Sequence, residues 1–221
     1  MTIDDVYKLE LYIADKNQSG YITPEEFNRI NNFAQRSYVS WLLGNFQQYQ
    51  YGRPISRVEL GQNSVVRQRL TPVIKTTNLN VTSGTASYPA DYIQTDAMWT
   101  ATGYKRIRYV DNDKYHGVVN SVIDPVADNP IYRLTQTGFE FAPTTLTSAK
   151  LSYISTPPDM VWAGTPDSNG RLVYNPGASV QPVWDETSMM DIIARAMEQI
   201  GVRLQSGAVV QYAKDIKQQG Q

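Results

Sequence analysis

Starting at Asp15, the stretch ADKNQSGYITPEEF sets Asp15, Asn17, Ser19, Tyr21, Thr23 and Glu26 at the ligand spacing of an EF-hand loop, with Gly20 at the bend. Such a loop surrounds a calcium ion with alternating oxygen donors and closes on a bidentate glutamate. Here Asp15, Asn17, Ser19 and Glu26 would give side-chain oxygens, Tyr21 its carbonyl, and Thr23 a bound water. Ile22 would make the short β contact with a partner loop. EF-hands pair, however, and the sequence holds no second loop. Ser19 stands where an acid is common, so Asp15 and Glu26 are the only charged ligands, which predicts weak affinity. The same residues also serve a plain turn: Gly20 for a left-handed bend, Thr23 as N-cap, Pro24 at the first helical position, and two acids in the first turn. Both readings fit these residues, with the turn ahead.

The remaining inventory of reactive side chains is thin. There is no cysteine and one histidine, so disulfides, thiolate metal sites and cysteine nucleophiles are excluded. His116 lies in DNDKYHGVVN near Asp111 and Asp113, where it could act as a base or ligand. A lone histidine beside glycine at a strand start reads better as a turn residue. Asp124 and Asp128 also fall where aspartate serves local hydrogen bonding. Nucleophile-elbow, phosphate-loop and His-Glu-x-x-His patterns are missing from the sequence. The expectation is a protein that is not an enzyme.

These residues must be positioned by a chain of 221 residues, with 41% apolar and 19% charged side chains and a net charge of −1. That balance gives no bulk attraction to nucleic acid or anionic membrane. Basic strings such as VVRQRL and YKRIRY alternate with apolar residues and read as strand faces. No stretch reaches the roughly 18 consecutive apolar residues of a membrane helix. The opening residues carry acids where a secretory signal carries basic residues, so a soluble protein made without a signal is expected.

Two helical ends flank an extended middle. A first helix is predicted over about residues 4 to 14, with Val6, Leu9, Leu11 and Ile13 on its apolar side. A second opens at Thr23-Pro24 and runs toward residue 49 through Phe27, Ile30, Phe33, Ala34, Tyr38, Trp41, Leu42 and Phe46. From residue 53 to 173, runs such as SRVEL, SVVRQRL, YKRIRYV, HGVVNSVI, IYRLTQ, FEFAP and AKLSYIS predict strands, with a hairpin turning at Thr137-Gly138. STPPDMVWAGTPDSNGR reads as a long Pro/Gly-rich loop, functional or covered by a neighbour. Helix returns after Asp185, whose side chain should cap toward Ser188, with a stripe of Met189, Ile192, Ile193, Ala196, Met197 and Ile200. GAVVQYAKDIKQQGQ forms a last helix. The expected fold is α+β: segments 1–52 and 174–221 pack their helices together, and 53–173 is a β-rich, sheet- or barrel-like region.

KNQSGYITPEEFNRINNFAQRSY resembles the N-terminal segment of virion structural proteins from crAss-like, short-tailed phages of Bacteroidales, in which a Gly-Tyr-Ile-Thr-Pro-Glu-x-Phe-Asn stretch joins two helices. NPIYRLTQTGFEFAPTTLTSAKLSYISTPPDMVWAG and VYNPGASVQPVWDETSMMDIIARAMEQIGVRL resemble the later hairpin, the Pro-x-x-x-Trp extended loop and the final helix of those proteins, in the same order. The resemblance implies a ring protein or adaptor in the neck between portal and tail, forming a dodecamer beside other neck and tail rings. Such a protein sits in the virion, assembles in the host cytoplasm and lines part of the genomic DNA conduit, with no membrane contact. A near-neutral chain suits a conduit, since fixed cations would hold the moving DNA backbone. Trp41, Phe46, Trp162 and Trp184 are candidate interface anchors, as is Trp99, with ordinary core packing as the competing role for each. No cofactor is expected unless calcium occupies the Asp15–Glu26 loop, the mark of the alternative reading as an EF-hand-like interaction module.

Overall fold

A computed structural model describes residues 1–16, 21–46, 60–121 and 125–203. The fold is α+β, and it divides into two compact units, Met1–Pro72 with Pro157–Gln221, and Val73–Thr156.

The first unit is helical. Helix α1 (Ile3–Lys16) begins with Asp4 and Asp5, which favour the positive end of the helix dipole. Helix α2 (Pro24–Phe46) starts where the sequence predicts, and α3 spans Leu60–Leu70. Helix α5 (Glu186–Arg203) is capped as expected: Ser188 N–H donates to Asp185 Oδ2 at 3.3 Å, and the hydrogen bonds from Ser188 lower that carboxyl's pKa. Residues 192–197 of α5 are all buried, so it is the central helix of this unit rather than a surface one. Tyr38 Oη donates to Ser188 Oγ at 3.1 Å where α2 packs on α5.

The second unit is built of strands. β1 (Ile74–Asn80), β7 (Ser148–Ser155) and β3 (Tyr92–Thr100) form one antiparallel sheet in that order. β2 (Thr85–Ser87), β6 (Gly138–Ala142), β5 (Ile131–Leu134) and β4 (Arg108–Tyr109) form the other, with β4 parallel to β5. Short bridges join the sheets at both sides, Thr82 to Thr85 and Trp99 to Arg106. Ile107 N–H also donates to Met98 carbonyl at 2.9 Å. These links give the unit a barrel-like closure, which leaves little free strand edge. Leu79, Met98, Phe139, Phe141, Leu151 and Tyr153 fill the space between the sheets.

Several expectations change. SVVRQRL is the body of α3, not a strand: Leu70 is buried and Arg69 pairs with Asp191 of α5 at 3.1 Å. HGVVN belongs to helix α4 (Asn112–Val119), so His116 sits on a helix and not in a turn at a strand start. On α1 the buried residues are Ile3, Val6, Tyr7, Glu10 and Ala14, whereas Leu9, Leu11 and Ile13 are half-exposed. The β unit begins at residue 73 and ends at 156, not at 53 and 173, because α3 contacts α2 and residues 157–162 run along α2. The predicted extension of α2 to residue 49, the strand SRVEL short of Leu60, and the last helix lie outside the described residues.

Candidate functional site

The sequence NRINNFAQ places Asn28, Asn32 and Gln35 at i, i+4 and i+7, one side of a helix. Across that side lies the extended segment 157–162. Asn28 Nδ2 donates to the Trp162 carbonyl at 3.0 Å, and Trp162 N–H donates back to Asn28 Oδ1 at 2.7 Å. One turn on, Asn32 repeats the exchange with Met160 at 2.9 and 2.8 Å. Gln35 Nε2 then donates to the Pro158 carbonyl at 3.0 Å. Each asparagine amide offers one acceptor and a donor on the same edge, as a peptide group does. The helix therefore pairs with the segment as a neighbouring strand would. The spacing matches too: four helical residues rise about 6 Å, and two extended residues advance about 6.6 Å.

The same ladder of amides holds two of the candidate tryptophans, Trp162 on the strap itself and Trp184 through Gln35. Trp162 is 5% exposed; its ring lies 4.5 Å from Tyr7 and 5.9 Å from Tyr174, and its Nε1–H donates to Asp4 Oδ1 at 3.0 Å. Trp184 is 6% exposed, packs edge-on against Tyr38 and donates its Nε1–H to Gln35 Oε1 at 3.2 Å. Both are thus anchors of this chain's own packing and present little surface to a partner. Trp41 is half-exposed, stacked on Tyr38 at 6.0 Å with the Arg195 guanidinium 5.0 Å from its ring centre. Trp99 is half-exposed on β3. Phe46 ends α2, and its side chain lies outside the described residues.

Beyond the strap, Gly164–Pro166 (β8) and Leu172–Tyr174 (β9) pair as an antiparallel hairpin. Asp167 Oδ1 accepts from Asn169 and Arg171 N–H groups and closes its turn. Leu172, Val173, Val180 and Val183 are 40% to 51% exposed on this hairpin and the segment that follows.

The predicted calcium ligands separate into described and undescribed parts. Asn17 and Ser19, and the side chain of Asp15, lie outside the described residues. Glu26 Oε2 accepts from Thr23 N–H at 3.2 Å while Thr23 Oγ1 accepts from Glu26 N–H at 3.3 Å. This is a reciprocal capping box, the helix-start role of those two residues. Tyr21 is exposed, with its hydroxyl 3.2 Å from that of Tyr7. Among the described residues no group of three or more His, Asp or Glu side chains is arranged to hold a metal ion.

His116 joins a cluster on the β unit. Arg133 Nε and Nη2 both donate to Glu140 Oε2, at 2.9 and 2.7 Å, and Nη1 lies 3.3 Å from His116 Nε2. The guanidinium also covers the Tyr115 ring at 4.5 Å. Arg133 and Glu140 are register partners on β5 and β6, so the cluster ties α4 to that hairpin. Asp111 N-caps α4 through its carbonyl, and Asp128 pairs with Lys105. Asp124 lies outside the described residues. His116, Asp111 and Asp128 thus each hold a structural contact, and Asp113 lies exposed in the first turn of α4. No helix among the described residues is long and apolar enough to cross a membrane.

No known protein family and no curated protein matches the chain in sequence.

Proposed function

We propose that this chain is a virion structural protein, a subunit of a ring in the portal-to-tail neck that joins capsid to tail and forms part of the DNA conduit. The resemblance to neck proteins of crAss-like phages runs in order along most of the chain and sets the class. The structural observation that carries the reading is the run of exposed aliphatics Leu172, Val173, Val180 and Val183. Four exposed aliphatics within twelve residues of the chain offer apolar surface to another protein. A closed ring needs two different patches on each subunit, one for each neighbour, and this run would serve as one of them. The strap itself needs no neighbour to order it, since Asn28, Asn32 and Gln35 hold it to α2. The partners are other copies of the chain, the portal protein and adjacent neck or tail rings.

Replacing Leu172 and Val173 by Asp tests the patch. Both side chains are already exposed, so the unfolding midpoint should stay within a degree or two while assembly with other copies and with the portal protein is lost. Undiminished assembly in light scattering and portal co-sedimentation would remove this patch from the reading. The alternative, a calcium-binding EF-hand-like module, requires Glu26 to serve an ion, and the capping box employs that side chain at the helix start.

A further inference from the structure

The buried stripe of α1 runs Ile3, Val6, Tyr7, Glu10 and Ala14, so a carboxyl stands where the helical period calls for an aliphatic side chain. Glu10 and the Asn31 side chain it meets on α2 are both 0% exposed. Asn31 Nδ2 donates to Glu10 Oε2 at 3.1 Å and to the Phe27 carbonyl at 3.2 Å, which spends both amide protons and fixes which way the amide faces. Glu10 Oε1 and Asn31 Oδ1 are left as buried acceptors without a donor. A carboxylate cannot relieve this, because every oxygen in the pair then accepts. One proton on Glu10 turns Oε1 into a donor and removes the buried charge as well.

No neighbouring charge takes the place of that proton among the described residues. On α1, Asp4 and Lys8 pair with each other at 2.6 Å, and the Tyr7 hydroxyl donates to the Ile22 carbonyl at 3.1 Å. On α2, Arg29 pairs with Glu25 and Arg36 with Asp159. On α5, Arg195 lies over the Tyr38 and Trp41 rings and acts with Asp191 and Glu198. Burial pushes the Glu10 carboxyl up and the hydrogen bond from the Asn31 amide pulls partly back, leaving it raised from 4.5 to about 8.

We propose that Glu10 and Asn31 form a buried proton-holding lock between α1 and α2, closed while Glu10 is a neutral acid and loosened when it ionises in mildly alkaline solution. The folded chain holds this proton more tightly than the unfolded chain does. The stabilising contribution is therefore complete below the unfolded value of 4.5 and is lost as pH rises toward about 8. The inference does not depend on the ring reading.

The test is thermal unfolding of the full chain across that window for wild type and Glu10→Gln. The amide introduced in place of the carboxyl is neutral at every pH and, like the protonated acid, carries a donor. The wild-type midpoint should fall by several degrees relative to the variant between about pH 5 and pH 9. Parallel profiles would overturn the lock. Infrared spectroscopy of the wild type supplies a second readout that needs no variant. A protonated-carboxyl carbonyl band persisting at neutral pH supports the proposal, and its absence there overturns it.

Discussion

Asn28 and Asn32 show how much one residue type can decide. A segment with prolines at 157 and 158 lacks backbone donors and cannot enter a sheet as a central strand. Laying it on a helix would ordinarily strand its peptide groups, which cost free energy when buried without partners. The asparagine amides meet that need at Met160 and Trp162, and Trp162 then docks on Tyr7. Asn32→Leu keeps side-chain size but leaves the N–H and C=O of buried Met160 unpaired. It should lower stability by about 2–4 kcal/mol in urea titration; a loss under about 0.5 kcal/mol would show that water replaces the amide freely. This ladder was readable in principle, as three amides at i, i+4 and i+7 in NRINNFAQ. The apolar period of Phe27, Ile30, Ala34 and Tyr38 overshadows it, because amides on a helix ordinarily face solvent. Glu10 escaped for the same reason, since a glutamate in KLELY reads as surface.

At the scale of elements, capping and turn signals held, and IYRLTQ, FEFAP and AKLSYIS fall on β5, β6 and β7 as their composition predicts. Thr23-Pro24 and Asp185 mark helix starts through capping, and both starts fall where those residues stand. The Thr137-Gly138 hairpin likewise forms between β5 and β6. SVVRQRL and HGVVN are rich in β-branched residues yet form α3 and α4, because tertiary contacts outweigh a β propensity worth under about 1 kcal/mol. For α3 those contacts are Leu70 burial and the Arg69–Asp191 pair; for α4 they include buried Tyr115 under Arg133. Gly138 is needed less for its turn than for a close approach. A Cβ built there lies 2.0 Å from the Ala86 carbonyl oxygen on β2. Backbone cannot swing aside, so Gly138→Ala should separate β2 from β6 and destabilise the protein by roughly 3 kcal/mol or more. Faster hydrogen exchange confined to residues 84–88 and 138–142 would identify that separation, whereas unchanged exchange and midpoint would contradict it.

At the scale of the whole molecule, the chain leaves the helical unit and returns to it at one place. Val73 and Ser155 are joined by a 2.9 Å hydrogen bond, and Ile74 pairs with Ile154. An insert whose ends are adjacent lets residues 157–203 rejoin residues 1–72 in one unit. The α+β class and the order helices, strands, helices were therefore legible in the sequence, while the unit boundaries depended on long-range contacts of α3 and the strap. Native mass spectrometry of the full chain, alone and with portal protein, decides whether it assembles into a ring. Spectra taken in calcium and in chelator should show the same closed oligomer on the portal, with no bound metal. A chain that stays monomeric beside the portal and gains one calcium ion would contradict the ring and make the Asp15–Glu26 loop a calcium site.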